Sequence, residues 1–194
     1  MYYPEPTTIW ESIQYSPLGI FIAESTWAFP TIETIHVIAL VTVLGTIFVM
    51  DLRLLGVASK NYPITSMSRD TLKWTWGGFI LAAITGTLLY ISKTSSYMIN
   101  PFFMGKMVLL AIAGLNMAYF HFVTWKTVAN WDTSPVVPMG AKVAGITSLI
   151  FWITIVFFGR AIGFTLGIYD CYMVGQGDDG FIVSMLAGIA CAGA

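Results

Sequence analysis

The 194-residue chain is 57% hydrophobic and only 10% charged, with a mean hydropathy of +0.77. Soluble domains carry about 25% charged residues, so this composition excludes a soluble globule of ordinary surface. The net charge is −1 and the nine Lys and Arg are scattered, which leaves no basic face for nucleic acid.

The chain opens with MYYPEPTTIWES, and residues 1–30 hold no Lys or Arg. No basic stretch precedes an apolar core, so no cleavable signal peptide is expected, and the first span acts as its own insertion signal. Trp10, Ile13, Leu18, Phe21 and Trp27 alternate with Glu11, Gln14, Ser16 and Glu24, and Pro17 interrupts the run. This pattern predicts one or two short helices in the headgroup layer, where Trp and Tyr partition. A buried loop packed over the bundle is the alternative.

Four stretches reach the ~20 residues needed to cross ~30 Å of hydrocarbon. They are 31–54, 74–92, 102–125 and 143–168. The expected fold is an all-α integral membrane protein: four transmembrane helices in an up-down bundle, with an interfacial N-terminal helix and a short apolar C-terminal helix. Its segments are 1–30, 31–168 and 169–194. The tail 181–194 is apolar but too short for a confident fifth span. Loop 51–73 holds Arg53, Lys60, Arg69 and Lys73, and loop 126–142 holds Lys126 and Lys142. By the positive-inside rule these loops face the cytoplasm, which puts both termini outside, in the periplasm of a bacterial inner membrane. Trp74, Trp76, Trp125 and Trp131 then form an inner aromatic belt, with Trp27 and Tyr97 on the outer side.

Gly159, Gly163 and Gly167 recur every four residues along the fourth span. Such a ridge permits close helix approach, within the chain, to another subunit or to a second copy. Ala82 with Gly86, and Gly114 with Ala118, repeat the pattern more weakly. Cys171 and Cys191 both follow the fourth span, where a disulfide requires the tail to fold back. The GQGDDG stretch at 175–180 reads as a turn; it lacks the spaced ligands of a calcium loop.

Ionisable residues inside spans are costly, by roughly 2.5–3.5 kcal/mol at a helix centre, and mark functional candidates. Here they are Glu33, His36, Lys106, His121 and Arg160, with Asn116 also deep. Glu33 and His36 are three apart, and Lys106 and Arg160 fall near the same outer level. A carboxylate, an imidazole and two cations from three helices therefore predict an outer cluster. It suits a haem b ligated by His36 with Arg160 and Lys106 as propionate partners, a quinone headgroup, or a proton relay. A Glu33–Arg160 salt bridge with His36 as a hydrogen-bonded neighbour is the plain structural alternative. His121 lies near the inner end with Asp51, Arg53 and Lys126. The vertical separation of His36 and His121 comes to about 15–20 Å at the usual helix rise, which argues against both ligating one metal within a chain. Met104 and Met107 near His36, and Met50 and Met117 near His121, offer a second kind of iron or copper ligand or simply fill the core.

The runs ETIHVIALVTVLGTIFVMDLRLLG, KMVLLAIAGLNMAYFHF and SLIFWITIVFFGRAIGF resemble an uncharacterised group of bacterial four-span membrane proteins. The resemblance covers most of residues 10–168, implies an inner-membrane setting and brings no activity with it. His36, Asp51, Arg53, Asn116, His121 and Arg160 fall at that group's expected polar positions. A looser likeness, in architecture alone, is to small membrane cytochromes b and copper-resistance membrane proteins. No motif of a soluble catalytic domain is present. Three functions are therefore expected to compete: a redox subunit holding haem b or quinone, an accessory subunit of a larger membrane complex, and a metal-ion or small-solute carrier.

Overall fold

The computed structural model describes residues 5–134 and 136–175, with side chains through Thr165. Among the described residues every regular element is helical. Two short helices, α1 (Ile9–Gln14) and α2 (Pro17–Glu24), precede α3 (Ala28–Leu54) and α4 (Ile64–Ser92). A short α5 (Thr94–Ile99) leads into α6 (Pro101–Phe122), a 3-10 helix covers Thr124–Asn130, and α7 spans Met139–Gly175. Four helices are long and apolar enough to cross a membrane: α3, α4, α6 and the Met139–Thr165 part of α7. This is a multi-pass α-helical membrane protein.

Local chemistry sets the helix starts. Thr8 and Glu11 form a reciprocal capping box on α1. Ser16 caps α2 with Pro17 at its first position, and Asn100 caps α6 by accepting from the N–H groups of Phe102 and Phe103. The two predicted N-terminal helices are thus α1 and α2. They pack on α5, α4 and the start of α3, and together with α5 they close one end of the bundle, called here the cap end.

The opposite, loop end departs most from expectation. The second span was expected from residue 74, but α4 begins at Ile64, so the predicted loop of 51–73 shrinks to 55–63. Hydropathy marks only the apolar part of a helix, and Arg69, Asp70 and Lys73 ride on the polar turns before it. Pro63 at the N-cap supplies no side-chain hydrogen bond. Asp132 supplies it from across the bundle: its Oδ1 accepts from Thr65 N–H at 2.8 Å and its Oδ2 from the Thr65 hydroxyl at 2.7 Å. The Asp132 carbonyl takes the Ile64 N–H as well. Arg53, with 0% of its surface exposed, lies beside this joint. Its Nε donates to the Tyr62 carbonyl at 2.9 Å, and its Nη2 faces the carbonyls of Asp132 and Ser134 at 3.3 and 3.5 Å.

Around the joint lies an apolar cluster of Leu54, Ile64, Phe120, Val128, Trp131, Val137, Ala141 and Ala144. Trp131 is only 5% exposed and donates to Thr127, so it belongs to this core and not to the expected aromatic belt. Trp74 and Trp76 do face outward. The expected third span through 125 ends at Phe122, where the chain tightens into the 3-10 turn that carries Val128 and Trp131 into the cluster. The apolar tail 181–194 and Cys191 lie outside the described residues, as do the side-chain surroundings of Gly167 and Cys171.

Asp132 sits below the ordinary carboxylate range. Desolvation pushes it up, but the Thr65 N–H and hydroxyl, the Ile64 N–H and nearby Arg53 more than offset this. A native-state value lowered in this way adds stability above the unfolded-state value and loses it as pH falls through the native one. Asp132→Asn is therefore expected to cost about 1 kcal/mol at neutral pH, the usual worth of a helix cap. The difference should shrink below roughly pH 4, where the unfolded carboxyl takes up its proton. Thermal unfolding of both proteins in detergent across this range checks it; a gap that widens in acid would refute the cap.

Candidate functional site

α3 and α4 run antiparallel, and their contacts fix how deep each residue sits. Gly78 lets the helices close: a Cβ there would fall 2.9 Å from Val43 Cγ2 and 3.2 Å from the Ala39 carbonyl oxygen. Thr46 and Thr75 share a hydrogen bond of 2.8 Å. Toward the cap end, His36 Nδ1 lies 2.9 Å from Thr85 Oγ1. Gly86 makes room for the ring, since a Cβ there would come within 3.0 Å of His36 Cε1.

The hydrogen-bond network assigns the proton on His36. Thr85 has one hydroxyl hydrogen and gives it to the Leu81 carbonyl at 2.7 Å, as threonines in helices commonly do. Its oxygen therefore accepts from His36 Nδ1–H, and the Ala82 carbonyl faces the ring as a second acceptor. In the neutral ring Nε2 then carries a lone pair.

α6 and α7 form the other antiparallel pair. Asn100 donates to Thr165 Oγ1 at 2.9 Å near the cap end, while Asn116 donates to the Ala144 carbonyl at 3.0 Å and accepts from Thr147 at 3.1 Å near the loop end. Between them Gly159 leaves space for Lys106, whose Nζ would lie 3.6 Å from a Cβ at that glycine. Lys106 is half-buried and within electrostatic reach of His36, and no described group hydrogen-bonds its Nζ. One more turn toward the cap end stand three rings. Tyr90 of α4 stacks on Phe103 of α6, with centroids 5.6 Å apart and planes at 10°, and Tyr97 of α5 contacts both at 6.1 and 5.2 Å.

Of the predicted outer cluster, the structure brings together His36 and Lys106. Glu33 is exposed, because the bundle-facing stripe of α3 runs through Ala28, Ile32, His36, Ala39 and Val43 and Glu33 stands beside it. Arg160 is exposed too, its guanidinium 4.6 Å above the Phe164 ring on its own helix. The expected Glu33–Arg160 bridge is not formed. His121 stands apart: its Nδ1 bonds its own helix at the Met117 carbonyl, 3.0 Å away, and its ring stacks on Trp125 at 5.9 Å. Met104 and Met107 face outward. Among the described residues no three His, Cys, Asp or Glu gather as a metal site. The glycine ridge is split in use, for Gly159 takes Lys106 whereas Gly163 has nothing within 4 Å.

A model of one protein family matches residues 16–165, which spans α2 through the last described side chain. The chain belongs to a family of unknown function, DUF6644. This agrees with the resemblance drawn from the three span sequences. No curated protein and no solved structure matches the chain. All of His36, Thr85, Gly86, Lys106 and Gly159 fall inside the part that defines this DUF6644 chain. Thr85, Tyr90, Tyr97 and Phe103 were not legible as site residues; the Ala82–Gly86 pair was the one sequence signal pointing to that stretch of α4.

The proton assignment is testable. Nitrogen-15 spectra of His-labelled protein at neutral pH should show His36 with Nδ1 protonated and Nε2 bare. Thr85→Val removes the acceptor and should shift the ring toward a mixture of tautomers. A bare Nδ1 in the native protein would refute the assignment.

Proposed function

We propose that this protein is a membrane redox module that binds a quinol headgroup between His36 and Lys106. The observation that carries the reading is the proximity of two complementary half-buried groups, an imidazole and an ammonium from different helices, inside an apolar bundle. His36 Nε2 offers a lone pair and accepts a hydroxyl proton. Lys106 Nζ offers donors. A ligand that offers a hydroxyl donor to one and an oxygen acceptor to the other complements both. A quinol presents a hydroxyl to one and an oxygen to the other.

The chemistry follows from the positions. Transfer of the hydroxyl proton to His36 Nε2 breaks the O–H bond and leaves a quinolate anion, whose oxygen Lys106 holds by hydrogen bonding. Loss of one electron from that anion to a one-electron carrier protein in or beside the membrane gives the neutral semiquinone. Thr85 keeps the imidazole oriented, since its bond to Nδ1–H persists when Nε2 is protonated. The same Nε2 lone pair suits a haem iron, which gives a second reading with Lys106 as propionate partner. The open Gly163 face is where a partner subunit would pack closely.

Protein purified in mild detergent should carry quinone extractable into organic solvent. His36→Ala and Lys106→Ala should each lower its content about tenfold, equivalent to ~1.4 kcal/mol of binding. Quinone content unchanged in both variants would refute the site. A reduced-minus-oxidised visible spectrum separates the second reading, because Soret and α bands that His36→Ala abolishes would assign haem instead.

A further inference from the structure

We infer that the ligand of this site reaches it sideways from the bilayer, through a gap between α4 and α6, and is therefore a quinol bearing a long apolar tail. The inference rests on the quinol reading and adds its route and its substrate class. Around the bundle, α3 packs on α4, α6 on α7 and α3 on α7, but α4 and α6 make no comparable backbone approach. His36 on α3 and Lys106 on α6 stand on helices diagonal to one another, so their site lies toward the bundle centre, behind this unpacked side.

The ends of the bundle argue against entry from water. At the cap end, α1, α2 and α5 lie over the helices, and Gln14 of α1 accepts the Ser95 N–H at 3.0 Å. Ser92, Thr94 and Asn100 beneath them are 1% exposed or less. At the loop end the apolar cluster around Trp131 fills the space. The side between α4 and α6 is different. Rings bridge it at the level of Tyr90, Tyr97 and Phe103. Two turns inward from Tyr90 and Phe103, the same helix faces carry Ala83 and Leu110. Ala83 is exposed and small, so the wall is thin where a tail must pass. The tyrosine and phenylalanine rings roof this opening with π faces that suit a flat headgroup.

Hydrophilic headgroup chemistry inside and an apolar slot outside define an amphipathic ligand: polar ring inward, hydrocarbon tail in the lipid. Each CH₂ of such a tail is stabilised by leaving water. A ligand already dissolved in the bilayer has made that transfer, and the slot lets it keep its tail there.

The test uses full-length protein in lipid nanodiscs, with binding of decyl-tailed and tail-less benzoquinol read by quenching of intrinsic fluorescence. Ala83→Trp plugs the slot from α4, and Leu110→Trp does so from α6; circular dichroism verifies the fold of each. Both plugged variants are expected to bind the tailed quinol about tenfold more weakly than wild type, and the tail-less one within about threefold of wild type. Ala83→Ser should match wild type for both. Equal loss for both ligands, or none for either, in the folded variants would overturn lateral entry and leave the quinol site standing. Failure of wild type to bind either ligand would overturn the quinol reading and this inference with it.

Discussion

A guanidinium with no exposed surface governs the geometry of this bundle. Removing a charge from water is expensive and is tolerated only where hydrogen bonds replace hydration. Arg53 finds such bonds for Nε at the Tyr62 carbonyl and for Nη2 at the carbonyls of Asp132 and Ser134, while Nη1 has no partner among the described residues; it lies in the last turn of α3, where a cation complements the helix dipole. It thereby ties the end of α3 to the lead-in of α4 and to the turn before α7. Asp132, fixed in that turn, starts α4 at Ile64. Helices rise by about 1.5 Å per residue, so fixing the end of one rigid helix against the start of the next fixes which residues meet far along them. That is how a joint at the loop end brings Thr85 level with His36 near the other end.

The two histidines illustrate how neighbours decide the use of one side chain. Both present Nδ1 to an oxygen. His121 spends this bond on its own helix and lays its ring on Trp125, a local arrangement that needs nothing from other spans. His36 spends it on a different helix, in a niche that only glycine at 86 leaves open, and close to a lysine from a third helix. A half-buried imidazole held by tertiary contacts has its orientation fixed in advance, which is the property a binding group requires.

Much of the fold was legible in the sequence because lipid imposes simple rules. Span number and one or two short N-terminal helices follow from apolar run length, from the alternation of aromatic and polar residues and from the break at Pro17. The true start of α4 was hidden, since its cap arrives from Asp132, distant in sequence. The candidate site was half legible. Rarity within spans singled out His36 and Lys106, but it singled out Glu33 and Arg160 equally, and only the rotation of each helix separates them. Glu33 lies one residue past Ile32 on α3, and that step turns it out of the bundle. Trp131 shows the converse: a tryptophan near a span end suits an interfacial belt, yet a 3-10 turn draws it into the core.

The bond from Ser95 to Gln14 also bears on how the protein is made. The two residues are 81 positions apart, and the ribosome completes Gln14 long before Ser95 exists. The α1–α2 segment therefore waits, without its α5 partner, while two spans enter the membrane. Its capping box and serine cap favour the helical form locally, but helices this short are completed by packing. Docking onto α5 is a late event of high sequence separation, the kind that closes slowly. Docking becomes possible once α5 emerges, before α6 and α7 are made.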